Sequence, residues 1–116
     1  MAPRLSATDV KNRRSQRILL DVPLIVRGES EQQRSFQEKT FTLAVSAHGA
    51  LVLLASPVEV GQRVVVMDPK SWNEREGKVA YRGRPHAGLA QVGIEFAQPA
   101  PEFWPIKSLP SDWKIA

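Results

Sequence analysis

Arg13 and Arg17 stand four apart in the run Arg13-Arg14-Ser15-Gln16-Arg17, directly ahead of the first apolar segment of the chain. A guanidinium is planar, permanently charged and presents a fork of N–H donors. It pairs with phosphate oxygens or with the O6/N7 edge of guanine, and its face stacks on a purine. Two such groups spaced R-x-x-x-R on a flexible arm can hold a compact anion from both sides, with Arg14 offering a shift of register by one residue. Farther along, Ser46-Ala47-His48-Gly49 brings a hydroxyl, an imidazole and a glycine together in four residues. Ser46 can donate to a phosphate or a carbonyl, and Gly49 allows a positive φ or close approach of main chain to a base. Charge is distributed to match. Residues 1–19 carry Arg4, Lys11, Arg13, Arg14 and Arg17 against Asp9 alone, so the whole formal charge of +4 sits in this arm and the rest of the chain is balanced. Such an arm attracts nucleic acid, an acidic membrane surface or a nucleotide phosphate. On charge alone, a solvated basic tail fits as well.

Other chemistries find little support. The chain has no cysteine, which excludes disulfides, thiol catalysis and thiolate metal sites and agrees with a reducing compartment. Ser46 and His48 are two apart, but no acidic residue or oxyanion loop accompanies them, so neither catalysis nor an enzyme is expected. Two histidines without metal-ligand spacing do not make a metal site. No phosphate loop of the G-x-x-x-x-G-K-[ST] type occurs, and Gly83 to Gly88 reads as a turn. Glu74 and Glu76 beside Arg75 and Lys78 read as an exposed, salt-bridged strand face. Trp72, Tyr81, Phe96, Phe103, Trp104 and Trp113 fall late in the chain, away from the basic arm, so the interleaving of charge and aromatics used by single-strand nucleic-acid binders is missing. These aromatics are expected in core or tail packing. No signal segment is visible and no apolar run nears the roughly 20 residues of a membrane span. A cytoplasmic, soluble protein without a membrane span is expected.

The elements that must position the two segments are strands. A length of 116 residues suits one domain, and 42% hydrophobic with 24% charged residues is an ordinary globular composition. Residues 18–27 read as a first strand, with Pro23 marking an edge or a bulge. Residues 28–37 have loop character. Residues 39–46 alternate, with Phe41, Leu43 and Val45 on one face and Thr40, Thr42, Ala44 and Ser46 on the other. The turn at Gly49 leads into an apolar strand over 50–54, completing a hairpin. Further strands are expected over 62–67, over 72–82 with a bulge or bend at Gly77, and over 89–96. Four of the nine prolines (Pro99, Pro101, Pro105, Pro110) exclude a long C-terminal helix. A single turn over 102–106 fits, with Phe103, Trp104 and Trp113 folding back onto the body. Six short strands with regular turns predict a small all-β sandwich or barrel, and a barrel removes exposed edges.

R-x-x-x-R followed by A-x-S-x-x-G resembles the signature of the PilZ family, R-x-x-x-R then [D/N]-x-S-x-x-G, and the run Val92-Gly93-Ile94-Glu95-Phe96 resembles its closing strand. The resemblance covers roughly residues 13–96. It implies a six-stranded antiparallel β-barrel over 18–96, a flexible basic arm over 1–17 lying across the barrel mouth, and a Pro-rich tail over 97–116 packed on the barrel. It also implies a bacterial, non-enzymatic receptor for cyclic di-GMP, with Arg13 and Arg17 clamping phosphate and guanine, and Ser46 and Gly49 supplying contacts from the barrel. Arg14, Ala44 and His48 are further candidates. Ala44 stands where the family has an Asp or Asn that reads the guanine edge. An unpaired purine edge in a buried site costs about 1–3 kcal/mol, or roughly one to two decades of affinity. Thr42, on the predicted face of Ala44, and His48, in the turn, are the candidates to replace the missing group, His48 also fitting a solvent-exposed loop residue. The arm is expected to order on binding and alter a surface seen by a protein partner that the sequence does not identify. The alternative is a degenerate adaptor that binds no nucleotide and works through protein contacts. A nucleic-acid partner is not expected.

Overall fold

Val92, Ile94 and Phe96 alternate with Gln91, Gly93 and Glu95, and the strand they form buries the first set and turns the second outward. The same period organises the rest of the chain. The computed structural model describes residues 16–29 and 35–106. Its strands are β1 (Pro23–Glu29), β2 (Ser35–Ser46), β3 (Gly49–Leu54), β4 (Arg63–Met67), β5 (Glu74–Arg82) and β6 (Ala90–Phe96), followed by a single 3-10 turn at Pro101–Phe103. All pair antiparallel and close into a barrel in the order β1-β2-β3-β6-β5-β4. The core fills the barrel with Leu24 and Val26 of β1, Val52 and Leu54 of β3, Val66 of β4 and Val79 of β5, all almost completely buried. The expected all-β barrel is the observed architecture. Arg13, Arg14 and most of the basic arm lie outside the described residues, as do Pro110 and Trp113 of the tail.

Several local expectations are corrected. The polar stretch 28–37 is not wholly loop. β1 runs on to Glu29 and β2 begins at Ser35, with Gly28 opposite Phe36. Pro23 marks no bulge but is locally at an edge, paired with Phe41 of β2 and with no partner in β4. It is the first residue of β1, a position where a missing N–H is tolerated. Gly77 keeps regular pairing, and the irregularity in β5 falls instead between Val79 and Tyr81. The charged residues of β5 reach other elements. Arg27 pairs with Glu74 at 3.4 Å, Arg75 with Glu102 at 3.0 Å and Lys78 with Glu95 at 3.9 Å.

The largest difference is in β2. Its pairing with β3 shifts register between Thr42 and Ala44, so the strict alternation expected over 39–46 breaks at Leu43. Thr42 is wholly buried and Val45 belongs to the core, three residues apart where regular alternation would put them on opposite faces. Such a bulge adds a residue and re-aims everything beyond it. Thr42 therefore faces inward, away from Ala44.

Candidate functional site

The inward Thr42 serves the segment just ahead of β1 rather than a ligand. Its Oγ1 accepts the Val22 N–H at 2.9 Å and donates to the Leu20 carbonyl, while its own N–H donates to the Val22 carbonyl at 2.9 Å. Two residues farther toward the N-terminus, Ile18 and Val45 exchange both backbone bonds at 2.8 Å. The chain just ahead of β1 is thereby laid along the far half of β2. This track delivers Arg17, which is exposed, to the rim of a cleft of about 510 Å³, within the range of about 300–1,000 Å³ common for small-ligand sites. Ala44, Ser46, His48 and Gly49 line the same cleft. Of the candidate residues within the described segments, Arg17, Ala44, Ser46, His48 and Gly49 meet there and Thr42 does not.

The cleft lies on the outer face of the barrel, not at its mouth. Strand register arranges its floor in rows that cross β2, β3, β6 and β5. Ser46 is opposite Gly49, which is opposite Glu95, which is opposite Lys78. In the next row Ala44 faces Leu51, Gly93 and Tyr81. In the third Leu53 faces Gln91, whose carbonyl accepts the Gly83 N–H at 2.8 Å. The register shifts in β2 and β5 fall next to Ala44 and Tyr81, so both irregular strands flank the site. The floor is low, made of Ala44, Gly49, Leu51 and Gly93, and Arg17, Ser46, His48, Tyr81, Gln91 and Glu95 supply its functional groups. Tyr81 and Gln91 also border a smaller recess of about 340 Å³ with Arg84 and His86.

Ser46 and Gly49 of the A-x-S-x-x-G run each have a local structural account. Ser46 Oγ accepts the His48 N–H at 3.1 Å, a side-chain cap of the turn that leaves the hydroxyl hydrogen as a donor. Gly49 does not have positive φ. A Cβ there would collide with the Ile94 carbonyl oxygen across the β3–β6 pair, so the close approach is to the barrel's own backbone. Ala44 is buried, 6% exposed, and brings no hydrogen-bonding group. His48 is half-buried. The turn is also held from the far side. Trp104 Nε1 donates to the Ser46 carbonyl at 2.7 Å, Ala100 N to the Ala47 carbonyl at 2.8 Å and Phe96 N to the His48 carbonyl at 2.7 Å. Phe96, Phe103 and Trp104 pack as a three-ring cluster, with centroids 5.0–5.9 Å apart. Of the expected tail packing, the described part is this cap.

Gln91 and Glu95 were not singled out in the sequence, and Tyr81, expected with Trp72 in core or tail packing, is exposed as Trp72 is and lines the cleft. Alternation in the β6 sequence marks Gln91 and Glu95 as outward, but only closure of the barrel, with β6 between β3 and β5, puts them beside Ser46. Among the described residues no group of His, Asp and Glu could hold a metal ion, and no helix is long and apolar enough to cross a membrane.

The PilZ domain model matches residues 11–102, most of the chain and all six strands. The chain belongs to the PilZ family. Solved structures agree on the PilZ fold. The Bacillus subtilis inhibitor of motility MotI/DgrA superposes with a TM-score of 0.56 at 19% identity, over 79% of this chain and 46% of that one. YcgR from Escherichia coli, solved in complex with c-di-GMP, superposes with a TM-score of 0.53 at 15% identity, over 79% of this chain and 41% of that one. This PilZ chain thus spans less than half the length of either neighbour. Comparison with curated proteins gives no match.

Proposed function

We propose that this PilZ domain is a cyclic di-GMP receptor module that acts in the bacterial cytoplasm without catalysing a reaction. The observation that carries this reading is the convergence of Arg17 with Ser46 and Gly49 at one outer-face cleft, the first held there by the Ile18–Val45 bridge and the others by the β2–β3 turn. Arg17, with Arg13 and Arg14 from the arm, would grip phosphate and guanine, and the Ser46 hydroxyl would donate to the ligand. Binding would order the arm against β2 and change the surface offered to a protein partner. Calorimetry with cyclic di-GMP tests the proposal. The wild type should release heat at micromolar protein, and Arg17→Ala should bind about ten- to a hundredfold more weakly, as expected for a lost charge-assisted hydrogen bond. No heat from the wild type would overturn it.

One observation favours a second reading, a PilZ-type adaptor that binds no nucleotide. Ser46 caps its own turn and Gly49 avoids the Ile94 carbonyl, so the fold alone is a reason for both residues. Ala44 has no such role and no polar group. A folded wild-type protein silent toward cyclic di-GMP would support the adaptor.

A further inference from the structure

We propose that Glu95 reads the guanine base in this cleft, accepting hydrogen bonds from its N1–H and N2 amino group; the proposal rests on the receptor reading above. Glu95 is the only acidic side chain among the described residues that line the cleft. A carboxylate beside a site for a phosphodiester is electrostatically unfavourable unless the ligand also brings donors to it. Guanine does so. Its Watson–Crick edge carries two adjacent N–H donors that match the two oxygens of a carboxylate, whereas adenine presents a ring-nitrogen acceptor at the corresponding place.

The register sets the distances involved. Glu95 is opposite Gly49 and Gly49 opposite Ser46, so one row offers a hydroxyl donor and a carboxylate acceptor with no side chain between them. Gly93 and Leu51 in the adjacent row provide a flat, apolar seat for a ring. Glu95 is held in place without being sealed off, its side chain 27% exposed. The contact with Lys78 is long, 3.9 Å, and Lys78 is mostly in solvent. Arg17 at the rim leaves the phosphate end of the ligand to a cation and the base end to Glu95.

The test is calorimetry of the full chain with cyclic di-GMP and cyclic di-AMP, which share their phosphodiester ring and differ in the base edge. The wild type should prefer cyclic di-GMP. Glu95→Gln keeps the shape but turns an amide donor toward the guanine donors. It should bind cyclic di-GMP about ten- to a hundredfold more weakly and leave the weaker uptake of cyclic di-AMP unchanged. Lys78→Met should keep the preference, which separates loss of the reader from loss of the Lys78 contact. If Glu95→Gln retains the wild-type preference, or if Lys78→Met loses it equally, the role of Glu95 is overturned and the receptor reading stands. If the wild type binds neither dinucleotide, both fall.

Discussion

Gly49 shows how a residue in a binding motif can be fixed by the barrel behind it. The Ile94 carbonyl oxygen occupies the space a Cβ would need, and both groups are backbone within paired strands, so neither can swing aside. Gly49→Ala is therefore expected to destabilise the fold by about 1–3 kcal/mol, the usual cost of forcing extra volume into a packed site. Urea unfolding checks this; an unchanged midpoint would show that the β3–β6 pair relaxes. Weaker ligand binding by that variant would then report the fold and not a ligand contact, which is why Arg17 and Glu95, both on the outer face, are the better probes. Ala44 gives the opposite lesson. It is buried on the cleft side and brings no polar group, so under the proposal above the guanine reader sits on another strand, at Glu95.

At the scale of elements, loops and strands are tied by side chains that reach across them. Glu38 extends from β2 to the loop after β3, where its carboxylate accepts from Ala55 N at 2.7 Å, Ser56 N at 2.9 Å and Ser56 Oγ at 2.7 Å. Partial burial pushes its pKa up, but the three donors outweigh that effect and hold it below its ordinary 4.5. A carboxyl with a lowered folded-state pKa lends stability that is full above the unfolded value and is lost as pH falls through the folded one. Urea midpoints should thus decline as pH drops below about 4.5, and Glu38→Gln should flatten that decline. A slope unaltered in the variant would assign it elsewhere, for instance to Glu102, whose carboxyl is held down by its own backbone N–H and by Arg75. The strands themselves were legible because Val92, Ile94 and Phe96, or Val64 and Val66, repeat with the period of a pleat. The break at Leu43 was not, because a bulge is settled by the register of two partners and leaves no mark on the residue that makes it. For the same reason Thr42 was expected beside Ala44 and lies instead on the inner face, stapling Leu20 and Val22 ahead of β1. Tyr81, Gln91 and Glu95 became part of the site only through the β3-β6-β5 order, a contact between distant segments.

For the molecule as a whole, the folding unit extends past its last strand. Phe103 and Trp104 are 8% and 3% exposed, close the barrel over Phe96, and with Ala100 hold the turn that carries Ser46. Truncating a buried aromatic to alanine costs about 3–5 kcal/mol, and two such losses approach the roughly 5–15 kcal/mol that stabilise a whole domain. A chain ended after Phe96 would keep all six strands and is expected to be unfolded, or to melt far below a chain ended after Ile106. Thermal unfolding followed by circular dichroism compares the two, and equal melting temperatures would show that the cap is dispensable.

Closure of the sheet also limits how any protein could be engaged. Each of the six strands has a neighbour on both sides, so an incoming strand finds only stretches where one strand outruns its neighbour, such as residues 35–41 of β2 on the β3 side. A partner that docks elsewhere on the barrel must be recognised by side chains on its convex surface. The vocabulary of that recognition is then the pattern of residues across neighbouring strands, the same surface that Arg17 and the cleft already occupy.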